Sequence, residues 1–283
     1  MKLNILCIGD IVGRPGRRIL AEQIKTIVRE REIDCVIANA ENIAGGSGIT
    51  PQIYEKLLRY GVHLITLGDH VFRKREIVPV LEKSDNITRP ANLSEFAAGS
   101  GYGVYQTHKG VTVGVISLIG RLFMKPADCP YAAADRLISK LQNSVDVLVV
   151  DMHAEATSEK IAMGFHVDGR ASCCFGTHTH VTTADECILP KGTAYITDLG
   201  MTGAHDSVLG RKTGAVLKAL RTQMPVPFEI ATEGVRLNGI VVTVDSHSKR
   251  AEHIERIRIE ADHSESVAYD ADDGQPNRLN NQF

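Results

Sequence analysis

The sequence predicts an α/β protein built from two packed sheets. Short apolar runs alternate with amphipathic helical stretches through the first half, as parallel strands linked by helices do. The second half is richer in strand-like segments, some alternating apolar with polar residues in the manner of half-buried antiparallel strands. Hydrophobic residues make up 43% of the chain, an ordinary fraction that supplies a core.

Taken in order, residues 3–8 form an apolar run ended by Gly9, and a helix is expected over 17–32. The next strand is 35–38, followed by the glycine-rich turn Ala44-Gly45-Gly46-Ser47-Gly48. A helix over 51–60 starts at Pro51, where the missing N–H costs nothing. A third strand is expected over 63–67 and a third helix over 73–83, interrupted by Pro79. Residues 111–119 and 145–150 read as buried strands, with a helix over 132–143 between them. Later strands are expected at 194–197, 229–231, 239–244 and 254–259, the last two half-buried.

The 283 residues are expected to make one domain over 1–260. The polar, acidic, Asn-rich stretch 261–283 is expected to be a disordered tail. With 32 basic and 34 acidic residues, the chain has no electrostatic footprint for long nucleic acid. The apolar N-terminus is too short for a secretory signal, and no run of about 18 apolar residues could span a bilayer. Six cysteines without a CxxC pair read as reduced thiols, so the expected location is the cytoplasm.

Strand ends carry the chemistry. In α/β proteins, ligands bind at loops after the carboxyl ends of strands. Here five such ends present Asp10, the Glu41-Asn42 pair, Asp69-His70, His153, and the His178-Thr179-His180 triplet. Singly, each is more often a turn, a cap or an ordinary histidine. The sharpest is the triplet, whose two rings would face one way on an extended segment. Together, Asp10, Glu41, Asn42, Asp69, His153, His178 and His180 make a mixed set of seven oxygen and nitrogen donors. One ion with an open position takes three or four. Seven suit two ions sharing a carboxylate, a device that activates water and neutralises charge on a phosphoryl group. His166 and His205 are weaker candidates, and Arg75, Arg121 and Arg170 could contact phosphate. The glycine-rich turn lacks a following Lys-Ser/Thr and is no P-loop.

The order Gly9-Asp10, Glu41-Asn42, Gly68-Asp69-His70, His153, Gly176-Thr177-His178-Thr179-His180 resembles the calcineurin-like metallophosphoesterase superfamily. Gly9-Asp10-Ile11-Val12-Gly13, the segment from Asp151 to Lys160, that from Thr193 to Asp198, and Gly200-Met201-Thr202-Gly203 look like its YmdB-type branch. Members of that branch are similar to phosphodiesterases acting on 2',3'-cyclic nucleotides. The resemblance covers residues 1–260 and implies the superfamily's two-sheet sandwich flanked by helices, a four-layer αββα arrangement. It implies Asp10, Glu41, Asn42 and His180 on one ion, and Glu41 (bridging), Asp69, His153 and His178 on the other. By the same likeness, His70 is the general acid. The branch shares the absence of a histidine after Asp10, and Asn42 would complete that ion's shell.

One departure stands out: the superfamily's usual Gly-Asn-His is Gly68-Asp69-His70 here. Three carboxylates against two divalent ions leave about +1, where an amide would leave about +2, and the weaker field attracts phosphate less. The expected function is hydrolysis of a small phosphodiester, 2',3'-cyclic nucleotides by resemblance, by metal-activated hydroxide. Two ions per chain are expected, iron favoured, and the donors are compatible with iron, manganese or zinc alike. Two alternatives stand beside it: a metal- and nucleotide-binding regulator with low turnover, and a binuclear hydrolase of another phosphoester. A homo-oligomer is compatible with such an enzyme.

Overall fold

The computed structural model describes residues 1–261. The chain begins with β1 (Lys2–Ile8), β2 (Asp10–Ile11), α1 (Gly13–Glu30) and β3 (Cys35–Asn39). It continues through α2 (Pro51–Tyr60), β4 (Leu64–Thr66), a 3-10 turn (Arg75–Ile77), α3 (Val78–Lys83) and β5 (Ile87–Thr88). Next come β6 (Tyr102–Gln106), β7 (Thr112–Ile119), α4 (Pro130–Leu141), β8 (Val147–His153) and α5 (Thr157–Val167). The rest is β9 (Cys173–Thr177), β10 (Cys187–Ile188), β11 (Ala194–Ile196), β12 (Met201–Ala204), α6 (Thr213–Thr222), β13 (Val235–Asp245) and β14 (Arg250–Glu260).

Local chemistry fixes the ends of several elements. Thr50 Oγ1 caps α2 by accepting from the Ile53 N–H, Pro51 occupies the first turn, and Gly61 closes the helix at φ 106°. One sheet runs β2-β12-β13-β1-β3-β4-β5, with β14 paired to β13; the other runs β10-β11-β9-β8-β7-β6. Strands β1, β3 and β4 are parallel, as are β7, β8 and β9.

The apolar residues form three clusters, and these define four layers. Leu20, Ile24 and Leu57 pack helices α1 and α2 on the outer face of the first sheet. Ile5, Cys35, Val149 and Phe175 meet between the sheets. Ala134, Ile138 and Met163 seat α4 and α5 on the outer face of the second. The fold is therefore the expected α/β sandwich of two sheets flanked by helices. Each sheet delivers the carboxyl ends of its parallel strands to one shared edge, as the contacts of Asp10 and Glu41 with residues of the second sheet show.

Several local expectations change. Residues 229–231 form only an isolated bridge between Arg211 and Ile230. Strand β13 is buried along most of its length rather than half-buried, because it pairs with β1, β12 and β14 inside the sandwich. Helix α1 begins four residues before its expected start, with Gly13 and Pro15 in its first turn. Helices α5 and α6 escaped the sequence reading. The tail expected over 261–283 lies, beyond Ala261, outside the described residues. No helix among the described residues is long and apolar enough to cross a membrane.

Candidate metal centre

Each strand end places its side chain by a different device. Asp10, fully buried, opens β2 immediately after β1 and accepts the His178 N–H on Oδ2 at 3.1 Å. Glu41 follows β3; its own N–H donates to Asn39 Oδ1, which holds the turn. Its carboxylate lies 3.2 Å from His153 Nε2 through Oε2 and 3.2 Å from His70 Nδ1 through Oε1. Asn42 donates to Glu41 Oε1 at 2.9 Å, and its Nδ2 lies 3.1 Å from His180 Nε2. Asp69 Oδ1 faces His153 Nε2 at 3.5 Å and His178 Nδ1 at 3.8 Å. Donor atoms of Glu41, Asp69, His153 and His178 all lie within 4.8 Å of one another.

Gly68 is there because nothing larger fits. A Cβ at that position would come within 2.3 Å of both Glu41 Oε2 and His153 Nε2. The His178–His180 pair, by contrast, reaches the site differently from the sequence expectation. The segment is a turn after β9 rather than an extended run, with His178 at φ 97° and His180 at φ 64°. Left-handed backbone is costly for residues other than glycine and persists where surroundings impose it. Here the fold imposes it by bonding Thr179, between the histidines, to Asp198.

Two hydrogen bonds and one close carboxylate set which ring nitrogens face inward. Thr177 Oγ1 donates to Asp151 Oδ1 at 2.7 Å, so it accepts from His153 Nδ1 at 2.8 Å. That turns His153 Nε2 toward Glu41 and Asp69. His180 Nδ1 donates to the Leu209 carbonyl at 3.1 Å and turns Nε2 inward. His178 Nε2 lies 3.3 Å from the half-exposed Glu155 carboxylate, which frees Nδ1 for the cluster. Such outer partners are how proteins orient metal-binding imidazoles.

The electrostatics are those of a crowded acidic site. Burial pushes the Asp10 carboxyl up to about 8. Burial would also raise Glu41, but the His153 and His70 rings outweigh it and hold that carboxyl well below its usual range. Burial and the neighbouring His153 push His178 down to about 3. Asp10 Oδ1 and Asp69 Oδ1 are buried without a hydrogen-bond partner. Asp69 Oδ1 lies beside His153 Nε2 and His178 Nδ1, themselves 3.0 Å apart, and Asp10 Oδ1 lies 3.9 Å from His180 Nε2; such unmet oxygens fit cations and are costly without them.

The site thus gathers all eight residues picked from the sequence: Asp10, Glu41, Asn42, Asp69, His70, His153, His178 and His180. The weaker candidates lie elsewhere. His166 binds Asp135 and stands edge-on to Tyr131, Arg170 joins the same carboxylate, and His205 bonds the Met201 carbonyl. Arg121 is exposed, with its N–H bound to Glu159, and Arg75 opens the 3-10 turn. Asp151, Thr177, Glu155, Lys160 and Asp198 were missed as supports. Asp198 was readable in principle, as a further acidic residue just past a strand.

The family model described as YmdB-like protein matches residues 6–257. A Bacillus subtilis protein named 2',3'-cyclic-nucleotide 2'-phosphodiesterase is 44% identical over 92% of this chain and 98% of its own. The crystal structure of a Mycoplasma pneumoniae protein described as a novel phosphatase is similar at TM-score 0.86 and 35% identity, covering 92% of this chain and 94% of that one. The structure of a hypothetical protein from Thermus thermophilus is similar at TM-score 0.85 and 38% identity, covering 91% and 99%.

Proposed function

The chain belongs to the YmdB-like family, and on that premise we propose that it is a binuclear metal-dependent phosphodiesterase hydrolysing 2',3'-cyclic nucleotides. The observation that carries this reading is the convergence of Glu41, Asp69, His153 and His178 donor atoms within 4.8 Å. The substrate follows the name of the Bacillus subtilis relative.

Asp10, Glu41, Asn42 and His180 would hold one cation; Glu41, Asp69, His153 and His178 would hold the other. For Asn42 this takes a half-turn of the amide, since Nδ2 faces Glu41 and His180 while Oδ1 faces His70. Iron is the favoured occupant, and this mixture of imidazole and carboxylate is compatible with iron, manganese and zinc. A bound cation pair supplies a nucleophile at neutral pH and neutralises charge growing on the phosphoryl oxygens.

The protein's own groups do the rest. Thr177, Leu209 and Glu155 keep the three ligand rings in their tautomers, so no reorientation is needed on substrate arrival. His70 sits on the rim, about a quarter exposed, with Nδ1 2.9 Å from Asn42 Oδ1. Burial pulls its basicity down, but Glu41 and Asp69 outweigh that and raise it above the usual histidine value. A ring protonated near neutrality can pass the Nε2 proton to a departing ribose oxygen. Asp69 Oδ2, 3.8 Å from that nitrogen, helps keep it protonated.

The test is metal content by elemental analysis, with hydrolysis of 2',3'-cyclic AMP before and after chelation. About two ions per chain and chelator-sensitive turnover are expected. Failure to bind iron, manganese or zinc on reconstitution would overturn the reading. Two ions without turnover would favour a nucleotide-binding regulator or another phosphoester.

A further inference from the structure

A cavity of about 900 Å³ opens between the segment after β5 and helix α4, and none of its lining residues belongs to the metal centre. We propose that it is a second binding site, for a small phosphate monoester carrying a flat ring.

Two arginines meet at this cavity. Arg89 directly follows β5 and is only 7% exposed. Its Nη1 donates to the Pro90 carbonyl at 2.8 Å, while its Nε is buried without a hydrogen-bond partner. Arg136, exposed on α4, lines the same cavity. Burial, and then the Arg136 charge, pull Arg89 below its ordinary basicity, so the two cations feel each other. Neither is ion-paired with a carboxylate among the described residues, although Glu95 and Asp128 also line the cavity. A buried, unmet guanidinium donor near a second cation is costly unless an anion joins them. Phosphate, like carboxylate, accepts the planar fork of arginine in two parallel bonds, and its higher charge suits a site with two cations.

Shape narrows the ligand. The volume suits a small organic molecule, since such sites run about 300–1,000 Å³. Two rings stand on the lining, Tyr102 and a 92% exposed Phe96, and Lys140 Nζ lies 4.7 Å over the Tyr102 ring. Exposed aromatic surface beside arginines offers stacking to a planar group. The carboxylates of Glu95 and Asp128 disfavour a long polyphosphate, so a single phosphate fits best. The wall is built rather than slack. Asn92 Nδ2 donates to the Ile119 and Asp128 carbonyls, the Ala91 N–H donates to the Ser117 carbonyl, and a Cβ on Gly101 would lie 2.4 Å from Ala91 Cβ.

Equilibrium dialysis of the metal-loaded full chain with inorganic phosphate and, separately, adenosine 5'-monophosphate tests this. Two binding events are expected, one of which weakens at least about tenfold in Arg136→Glu. Phe96→Ala should weaken the nucleotide at that event and leave inorganic phosphate unchanged. Hydrolysis of a small diester without added phosphate should be the same in all three proteins. Identical stoichiometry and affinity in wild type and Arg136→Glu would overturn the site. Equal affinity for phosphate and the nucleotide, or insensitivity to Phe96→Ala, would overturn the ring. Because the readout is binding at exposed Arg136 and Phe96, the result stands apart from whether the metal centre is a diesterase.

Discussion

Lys160 Nζ lies 2.5 Å from Asp198 Oδ2, with both side chains out of contact with solvent. The same Oδ2 accepts from Thr179 Oγ1 at 2.8 Å and from its N–H at 3.3 Å, while Oδ1 accepts the Gly200 N–H at 2.7 Å. One buried ion pair therefore grips the residue between His178 and His180 and holds a turn whose backbone is strained at both histidines.

Breaking that pair strands a charge. Removing one partner of a buried ion pair costs about 3–5 kcal/mol, so Lys160→Ala should lose that much in urea denaturation. Because Asp198 then lacks its counter-charge, the histidine turn loosens, and metal content should fall together with stability. Full metal content in a destabilised Lys160→Ala protein would show that the pair supports the fold without positioning the histidines.

The contrast between what the sequence predicted and what it did not lies in this pair. Asp10, Glu41, Asp69 and His153 were legible because each follows an apolar run, and a strand end is a place that periodicity can find. Lys160 was not, because it sits on helix α5, whose residues show no clear amphipathic rhythm: Lys160 and Glu159 are themselves buried. The expected strand at 229–231 failed for the opposite reason. Its short apolar run resembles a strand locally, yet its backbone bonds to the loop of Gly210 and Lys212 rather than to a strand. His178 and His180 do lie near one another's partners, but not on the extended segment expected, since the turn is imposed by tertiary bonds to Asp198 that periodicity does not encode.

Thr177 should matter out of proportion to its size. It passes a hydrogen bond from His153 to Asp151, which is also held by Thr66 and Asn39. Thr177→Val keeps the volume and deletes the acceptor for His153 Nδ1. Metal affinity should drop by about 10–100-fold, measured by competition with a chromogenic chelator. Unchanged affinity would mean that packing alone orients the ring.

The metal-free protein should lose stability as pH rises, and the margin that metal adds should widen. In the metal-free folded protein, burial keeps on Asp10 a proton that the unfolded chain releases near 3.8. Burial alone would strip His153, but Glu41 and Asp69 prevail, and it keeps a proton that the unfolded chain releases near 6.5. His178 and His180, pushed down chiefly by burial, are neutral in both states above 6.5. From about pH 7 to about pH 8 the folded state thus holds more protons, and the chelated protein should lose stability as pH rises. Cations need these groups deprotonated, so the stabilisation that they confer should grow over the same range. Thermal melts of chelated and reconstituted protein at the two ends check both signs; a gap that narrows with pH would contradict the assignment of Asp10 and His153 as ligands.

His70 separates chemistry from metal binding. It touches Glu41 and Asn42, yet it stands on the rim, and neither of its nitrogens is needed to complete the cluster of Glu41, Asp69, His153 and His178. If it protonates the leaving oxygen, His70→Ala should keep its metals and lose about 10²–10⁴-fold in kcat on a cyclic nucleotide. The loss should shrink on a nitrophenyl diester, whose leaving group departs without a proton. Equal losses on both substrates, or metal content falling in step with rate, would move His70 from proton donor to structural support of Glu41.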